Sequence, residues 1–199
     1  IQEFNMRARA KNFKLTDLPK IASLCKPKKV KKYLTLNTII YNNEITKLEK
    51  IIKKSKPHIN AIICSDIAVM QLCKKHKIQF HVSTQCSISN SETAKFYKKL
   101  GAERIVLARE LNLKQIKEIS CIIPTEVFIH GAMCISVSGR CLLSQFSFNE
   151  SANRGKCIQP CRRQYISATD NQGNKLRIQN NHILSPKDLC TLPFFEKLK

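Results

Sequence analysis

The sequence predicts an α/β fold built on a parallel sheet, because short apolar strands alternate with amphipathic helices up to about residue 130. The run Ala-Ile-Ile-Cys at 61–64 is typical of a short buried strand, and Ile45, Leu48, Ile51 and Ile52 recur at helical spacing. Closed (β/α) barrels and open doubly wound sheets both fit such a succession. A barrel of eight units needs about 250 residues, so a barrel would be incomplete in this chain of 199 residues.

Capping residues and apolar periodicity place the individual elements. Thr16 and Asp17 cap the start of the first helix, and Gly101 ends the fourth. Helices are predicted over 16–24, 44–54, 68–76, 92–100 and 113–119, and strands over 31–36, 61–64, 79–82, 104–107 and 126–129. The sequence thus predicts about five strands joined by helical crossovers.

The pattern changes after Gly131. Residues 131–165 are rich in Ser, Gly, Arg, Asn and Cys and lack clear periodicity, which in a compact domain is typical of a functional or ligand-held segment. Residues 165–168 and 175–178 then flank the turn 170–173 and predict a hairpin. We expect residues 1–130 to form a partial (β/α) barrel. Residues 131–199 are expected to form a cysteine-rich loop, the hairpin and the start of a further βα unit of the same domain.

The chain is strongly basic, with 35 Lys and Arg against 14 Asp and Glu and a formal charge of +21. Such a charge favours polyanions such as RNA, with salt-dependent binding. An AT-rich genome would enrich Lys, Asn and Ile without selection for binding, so charge alone leaves that partner open. No apolar run approaches the roughly 20 residues of a membrane span, and the first residues lack a signal-peptide core. We expect a cytoplasmic protein without membrane contact. The chain also lacks a starting Met, as a fragment would.

Ten cysteines in a chain that is expected to be cytoplasmic favour metal binding or redox chemistry over disulfides. Five of them stand singly among apolar residues and are expected to fill the core: Cys25, Cys64, Cys73, Cys86 and Cys121. The other five are Cys134, Cys141, Cys157, Cys161 and Cys190. Only Cys157 and Cys161 approach the paired spacing of a zinc site, so thiolates gathered from a wide loop favour an iron–sulfur cluster. Zinc and unliganded thiols remain the alternatives. Nearby arginines would lower the pKa values of the thiols: Arg140, Arg154, Arg162 and Arg163.

Polar side chains follow several predicted strands. In barrel enzymes the active-site residues lie at these carboxyl ends of the strands. His81 ends one strand with Gln85 just beyond it, Arg109 and Glu110 follow the next, and His130 follows the last. We expect these residues to converge on one face and to bind substrate or transfer protons. Arg109 could hold a carboxylate or phosphate with two hydrogen bonds. The alternative for each is a structural hydrogen bond, and for Glu110 a pair with Arg109. Asn37 is a weaker candidate of the same type.

The cysteine-rich part of the chain resembles a known protein family. Residues 128–165, FIHGAMCISVSGRCLLSQFSFNESANRGKCIQPCRRQY, resemble the signature block of the collagenase-like peptidase family of the YegQ/PrtC type. Further segments resemble the family in the right order, at 4–13, 33–39, 81–90, 100–111 and 184–190. The resemblance covers essentially the whole chain. It implies a TIM-barrel-like (β/α) fold that is truncated at both ends, because the family's opening strands and closing segments are not present.

The resemblance also implies a cofactor and a reaction. Carried over position by position, Cys134, Cys141, Cys157 and Cys190 would hold a [4Fe-4S] cluster, with Cys161 as the reserve fourth ligand. Better-studied members take part in oxygen-independent hydroxylation of a tRNA or rRNA base, for which prephenate is a possible co-substrate. We therefore expect an RNA-modifying iron–sulfur enzyme.

Two other functions stay open. The family name implies a peptidase, although the sequence contains neither an H-E-x-x-H nor a G-x-S-x-G motif. A truncated barrel could also be a non-catalytic remnant, or could need a partner subunit or the missing segments to complete it.

Overall fold

The computed structural model describes residues 1–177 and 182–198. Its centre is a five-stranded parallel sheet in the order β1-β2-β3-β4-β5. The strands are β1 Tyr33–Leu36, β2 Ala61–Cys64, β3 Gln79–Val82, β4 Arg104–Val106 and β5 Thr125–Glu126. The predicted α/β fold with a parallel sheet is confirmed. Because each strand pairs with its predecessor in sequence, the order is that of a (β/α)-barrel segment, whereas a doubly wound sheet reverses direction partway.

The helices that precede and connect the strands lie close to their predicted positions. They are α1 Leu18–Cys25, α2 Ile45–Ser55, α3 Ile67–Lys75, α4 Ser91–Leu100 and α5 Leu113–Ser120. Side chains cap three of them: Asp66 accepts from the backbone of Ala68, Asn90 from Thr93 and Asn112 from Gln115. Gly101 ends α4 with a left-handed φ of 104°, as predicted.

The core lies between the sheet and these helices. Alternate strand residues face it, so Leu36, Cys64 and Val82 form one buried row across the first three strands. Leu48 and Ile52 of α2 are fully buried against this side. Burying such side chains contributes about 1.5–3 kcal/mol each, so this layer supplies most of the apolar stabilisation.

The opposite face of the sheet is mixed in character. Thr35, Ile63, His81 and Arg104 alternate with the core residues and stand outside the apolar cluster. In a closed (β/α) barrel this face lines the interior.

The last strand of the parallel sheet is shorter than predicted. It was expected over 126–129, but it ends at Glu126, and His130–Gly131 forms a separate strand, β6. The chain leaves the sheet there because β6 pairs antiparallel with β9, Leu189–Cys190. The backbone carbonyl of Ile129 also accepts from the backbone N–H and the hydroxyl of Thr191. Ile129 is therefore held by a distant part of the chain.

The segment 131–165, called the cysteine segment below, contains one helix that the sequence did not predict, α6 Leu143–Phe148. Six residues are too few to show a helical period. The predicted hairpin is confirmed as β7 Ser167–Thr169 paired with β8 Lys175–Arg177, and the predicted residue Ile178 lies outside the described residues. Within 1–177 and 182–198, no helix is long and apolar enough to span a membrane.

Candidate functional site

A small pocket lies at the carboxyl edge of the parallel sheet. Its volume is about 150 Å³. Polar residues that follow β1, β2 and β3 line this pocket, and two residues of the cysteine segment, Gly139 and Asn153, also line it. The polar residues are Asn37, Thr38, Ser65, Asp66 and Gln85. We call this cavity the carboxyl-edge pocket. The carboxyl ends of parallel strands are the usual position of ligand sites in α/β folds.

Asn37 organises the floor of the carboxyl-edge pocket. Its side-chain amide donates to the Ser83 hydroxyl and to the Gln85 carbonyl oxygen, both at 3.1 Å. Its own carbonyl oxygen accepts from the Met6 backbone N–H at 3.0 Å. The Ser83 hydroxyl also donates to Gln85. This chain of hydrogen bonds fixes the orientation of both amides before any ligand arrives.

Two further polar residues, Asp66 and Thr38, belong to the lining of the same space. Asp66 accepts from the backbone N–H of Ala68 at 2.8 Å and of Ile40 at 3.0 Å, so its carboxylate is held at the start of α3. The hydroxyl of Thr38 is different, because it is buried and has no hydrogen-bond partner among the described residues. Such orphaned buried groups are uncommon in folded proteins.

The cysteine segment closes over the carboxyl-edge pocket at two glycines. Gly139 has a φ of +74°, and a Cβ there would lie 3.0 Å from the Cβ of Gln85. Gly155 has a φ of +84°, and a Cβ there would overlap the backbone carbonyl of Asn5. Any other residue would push the cysteine segment away from the sheet. Between the glycines, Asn153 accepts from the backbone N–H of Cys141 at 3.2 Å.

Arg154 fastens this segment to the sheet layer. Its guanidinium donates to both carboxylate oxygens of Glu44, in one case at 2.9 Å, and to the carbonyl of Ile39. The guanidinium also lies 4.8 Å from the ring centre of Tyr41. Burial by itself would raise the pKa of Glu44, but the Arg154 and Tyr41 hydrogen bonds lower that pKa overall.

Four cysteines of the predicted ligand region lie in one neighbourhood. The pKa of the Cys161 thiol is raised, first by burial and then by Cys134 and Cys157, with Cys141 contributing less. The four thiols are therefore close enough to interact electrostatically. In the described part of the chain, no three His, Cys, Asp or Glu side chains form a group that could hold a metal ion. The thiols thus lie in one region and are the type of ligand that an iron–sulfur cluster binds, but they are not arranged around a common point as metal ligands are.

Cys190 reaches this region by another route. It pairs with His130 in the β6–β9 ladder and is exposed. Arg162 links the segment that follows β6 to the segment that precedes β9. Its guanidinium donates to the Met133 carbonyl at 2.7 Å and to the Asp188 carboxylate at 3.1 Å. Cys134 and Cys190 therefore flank one arginine-bridged junction.

The predicted strand-end residues lie at different places in the structure. Gln85 lines the carboxyl-edge pocket. Arg109 donates to the Ser138 hydroxyl at 2.9 Å, and Glu110 is exposed. His130 lies exposed in β6.

His81 points away from the carboxyl-edge pocket. Its ring is buried 4.7 Å from that of Tyr33, and its Nε2 lies 3.1 Å from Glu103. Both partners stand at the amino ends of their strands, because Tyr33 begins β1 and Glu103 precedes β4. Of the predicted strand-end residues, the structure therefore brings Asn37 and Gln85 together in the carboxyl-edge pocket and places His81, Glu110 and His130 elsewhere.

Sequence reasoning missed several pocket residues. Ser65 and Asp66 follow the buried strand 61–64, so the rule that pointed to Gln85 could have found them. Thr38 follows the predicted strand 31–36, beside Asn37, so the same rule could have found it. Asn153 gave no such signal, since it lies in a segment without periodicity.

A second set of thiols lies in the core and makes no part of this pocket. Cys64 and Cys73 are fully buried, and the pKa of Cys64 is raised well above its ordinary range, first by its hydrogen bond with Cys73 and then by burial. Cys86 also faces Cys64 and Tyr97. The prediction that five cysteines fill the core is correct for Cys64 and Cys73, which are neighbours and do not stand singly. Cys25 and Cys86 are half-buried, and the prediction is wrong for Cys121, which is exposed.

Known proteins resemble the chain over its full length. It is 44% identical over 213 residues to the collagenase of Porphyromonas gingivalis, across 100% of this chain and 51% of that protein. It is 32% identical to the tRNA hydroxylation protein P1 of Bacillus subtilis, across 99% of this chain and 49% of that protein. It is 38% identical to the 23S rRNA 5-hydroxycytidine C2501 synthase of Escherichia coli, across 93% of this chain and 28% of that protein.

The chain thus spans about half the length, or less, of these relatives. The solved structure of a U32 peptidase superposes on 86% of the chain with a TM-score of 0.53 at 12% identity, over 73% of that structure's own length. This agreement concerns the fold. The family model of peptidase family U32 matches residues 1–199. The parallel sheet, the cysteine segment folded over its carboxyl edge and these similarities together show that the chain belongs to peptidase family U32.

Proposed function

We propose that the chain is the iron–sulfur-binding part of an enzyme that hydroxylates an RNA base without molecular oxygen. One observation carries the proposal. The cysteine segment, which carries Cys134, Cys141, Cys157 and Cys161, folds directly over a polar pocket at the carboxyl edge of the sheet. The hydrogen bond between Asn153 and the backbone of Cys141 joins the two features.

The cysteines suit a [4Fe-4S] cluster by their chemistry. Cys134, Cys141 and Cys157 would supply three thiolates, and either Cys190 or Cys161 the fourth. Cys190 lies across the Arg162 bridge, whereas Cys161 already interacts with the other three. A bound cluster would supply one-electron transfer or direct coordination of a substrate atom. The chain's own residues would position Cys141 through Asn153 and Cys157 through the Gln159 N–H, which donates to the Cys157 sulfur at 3.4 Å.

RNA is the substrate class that the charge and the relatives favour. The formal charge of +21 attracts a phosphate backbone. Relatives from Bacillus subtilis and Escherichia coli are named for hydroxylation of tRNA and of 23S rRNA. Prephenate is proposed as a co-substrate on the resemblance alone.

The decisive test is iron and acid-labile sulfide content, with the visible spectrum, after anaerobic purification or reconstitution. Wild type is expected to hold about four irons per chain. The double variant Cys134→Ser/Cys141→Ser is expected to hold none, and Cys121→Ser, which alters an exposed cysteine of the sheet layer, is expected to match wild type. Single variants Cys190→Ser and Cys161→Ser identify the fourth ligand, because only the true ligand's loss changes the spectrum. A colourless wild-type protein would refute the cluster.

A peptidase is the second candidate, and the 44% identity to a protein named collagenase is the observation that favours it. Cys134 and His130 are the available nucleophile and base, and both are exposed. Cleavage of gelatin that survives chelators and disappears in Cys134→Ser would support this reading. Cleavage that persists in Cys134→Ser would point to a contaminating protease.

A further inference from the structure

Lysines are concentrated at the amino edge of the parallel sheet, opposite the carboxyl-edge pocket. The chain approaches β1, β2 and β3 through residues 26–32, 53–58 and 74–77. We call these three segments the lysine belt. They contain no Asp or Glu and eleven lysines, which are Lys26, Lys28, Lys29, Lys31, Lys32, Lys53, Lys54, Lys56, Lys74, Lys75 and Lys77.

The opposite edge of the same three strands has no such charge. The chain leaves β1, β2 and β3 through residues 37–44, 65–66 and 83–90, which contain two acidic residues, Glu44 and Asp66, and no Lys or Arg. An AT-rich genome would enrich lysine at both edges alike. Base composition therefore does not explain the lysine belt.

The helix dipole explains only part of it. Lys53, Lys54, Lys74 and Lys75 lie in the last turns of α2 and α3, where the dipole favours cations. The five lysines of residues 26–32 lie between the end of α1 and the start of β1, in no helix. Their presence there needs another reason.

The three segments of the lysine belt are neighbours in space. The Lys32 backbone N–H donates to the side chain of Asn60 at 2.8 Å, and the Lys32 carbonyl accepts from the Asn60 N–H at 2.8 Å. These bonds join the first segment to the residues that precede β2. The ammonium groups of Lys53 and Lys75 lie 3.5 Å and 3.0 Å from the same carboxylate oxygen of Glu49, which joins the second segment to the third. The lysines thus form one continuous surface.

Most of this surface is exposed and unneutralised. Every lysine of the belt except Lys32 is exposed. Glu49 pairs with Lys53 and Lys75, and the other nine form no ion pair within residues 1–177 and 182–198. Lysines that are close together and unpaired attract a polyanion, because each phosphate they neutralise releases condensed counterions.

The residue types of the lysine belt favour a phosphate backbone over other polyanions. Unpaired bases stack on aromatic side chains, and guanine is read by arginine, but the belt contains no Phe, Tyr, Trp or Arg. Interfaces between proteins are depleted in lysine. Stable attachment of basic residues to a membrane needs a second, apolar anchor, whereas the apolar residues of α2 and α3 are buried in the core. A double helix presents phosphates and keeps its bases inside, so it fits this surface best.

We propose that the lysine belt binds the phosphate backbone of a double-helical RNA segment, at the edge of the sheet opposite the carboxyl-edge pocket. The choice of RNA rests on the proposed function, and the belt adds a contact region away from the reacting base. Strands β1, β2 and β3 have four residues each, which is about 13 Å. An RNA stem held at the amino edge therefore has only a short distance to cover before the chain that follows it reaches the cysteine segment.

The test is fluorescence anisotropy with a labelled RNA hairpin of arbitrary stem sequence and with single-stranded oligouridine of equal charge. Hairpin binding is expected to be the tighter and to be independent of the stem sequence. Lys28→Gln/Lys31→Gln/Lys56→Gln removes three exposed charges of the belt. It is expected to weaken hairpin binding about tenfold or more at roughly 0.1 M salt, and to reduce the slope of log affinity against log salt by about 2–3.

The matched control is Lys11→Gln/Lys14→Gln/Lys114→Gln, which makes the same change in net charge at exposed lysines outside the belt. Its hairpin affinity is expected to stay within about twofold of wild type, with an unchanged salt slope. A second variant, Lys28→Arg/Lys31→Arg/Lys56→Arg, keeps the charges and is expected to keep the affinity, which separates the loss of charge from a disturbed surface.

Three results would overturn the proposal: equal weakening by the control variant, tighter binding of oligouridine than of the hairpin, or tighter binding to vesicles of phosphatidylserine and phosphatidylcholine than to RNA. The measurement needs neither cluster nor reaction. Hairpin binding through the belt by a protein that takes up no iron would refute the proposed cluster alone. An iron-loaded protein that hydroxylates RNA, with unchanged hairpin affinity in the glutamine variant, would refute the belt alone.

Discussion

The sheet layer and the cysteine segment are held in place by different forces. The apolar core cluster runs from Phe4 to Ile123, with Val127 packed against it, and no described residue after Val127 belongs to it. The cysteine segment instead depends on polar contacts, chiefly those of Arg154 with Glu44 and of Arg162 with Met133 and Asp188. Its cysteines are exposed or half-buried, whereas Cys64 and Cys73 of the sheet layer are fully buried.

The cysteine segment is the part of the molecule whose order would gain most from a ligand. Burial of apolar side chains stabilises the sheet layer without help. The cysteine segment buries little apolar surface, so bound metal would add most to its order. Four variants test whether the sheet layer and the cysteine segment are stabilised by different forces.

The largest expected effect comes from the core. Leu48→Ala removes a fully buried side chain of α2 and is expected to lower the free energy of unfolding by about 2–5 kcal/mol. Phe146→Ala is the matched control in the cysteine segment, because Phe146 is 85% exposed. It is expected to change stability by less than about 0.5 kcal/mol. Urea denaturation followed by circular dichroism measures the free energy of unfolding of both variants. Equal losses would show that the two regions do not differ in how they are stabilised.

Arg154→Ala should act on the junction between the two regions. It leaves the half-buried Glu44 carboxylate without its partner, so the cysteine segment is expected to open more easily by about 1–3 kcal/mol. Hydrogen exchange of backbone amides resolves the location of the effect. Faster exchange is expected at 139–163, with little change in β1 to β3.

The double variant Arg154→Ala/Glu44→Gln provides the check on that result. It should recover part of the loss, because the unpaired charge is gone. Equal acceleration of exchange in the sheet strands would show that Arg154 supports the whole fold.

Ser144→Ala tests a smaller contact inside the cysteine segment. The Ser144 hydroxyl is fully buried, accepts from the Ile158 N–H at 3.3 Å and lies 3.9 Å from the Cys157 sulfur. Its loss is expected to cost about 1 kcal/mol of local stability. Limited proteolysis between α6 and Pro160 measures it, with the exposed Ser120→Ala as control. Unchanged cleavage rates would show that this hydrogen bond contributes nothing.

Glu49 gives the smallest expected effect, and it depends on pH. Hydrogen bonds from Lys75 and then His76 lower the pKa of Glu49 from 4.5 to about 2. Because the folded-state pKa is depressed, the stabilisation is present above pH 4.5 and is lost as pH falls toward 2. Glu49→Gln should therefore show a slightly smaller drop in melting temperature between pH 6 and pH 3 than wild type, with exposed Glu118→Gln as control. Identical drops would show that these contacts do not stabilise the fold.

The sheet layer could be predicted closely from the sequence, and the candidate site only in part. Strands such as 61–64 and 79–82 carry their own apolar signal, and the helices have side-chain caps such as Asp66 and Asn90. The fifth strand was misplaced because its end is set by Thr191, which lies 62 positions from its partner Ile129. His81 was assigned to the wrong end of the sheet because strand alternation fixes its face, while the direction of its ring depends on Tyr33 and Glu103. The hydrogen-bonding state of Thr38 depends on what surrounds it, so no local pattern could reveal it.

The strand order has a consequence for how the molecule forms. Paired residues in the parallel sheet are only roughly 20 to 30 positions apart, and contacts of short sequence separation form quickly. Each βα unit can therefore dock on the one before it while synthesis continues. The junction of β6 with β9 must await residues near 190, so it closes last. The thiols of the cysteine segment would be open to incoming iron and sulfide during that interval, on a sheet already assembled.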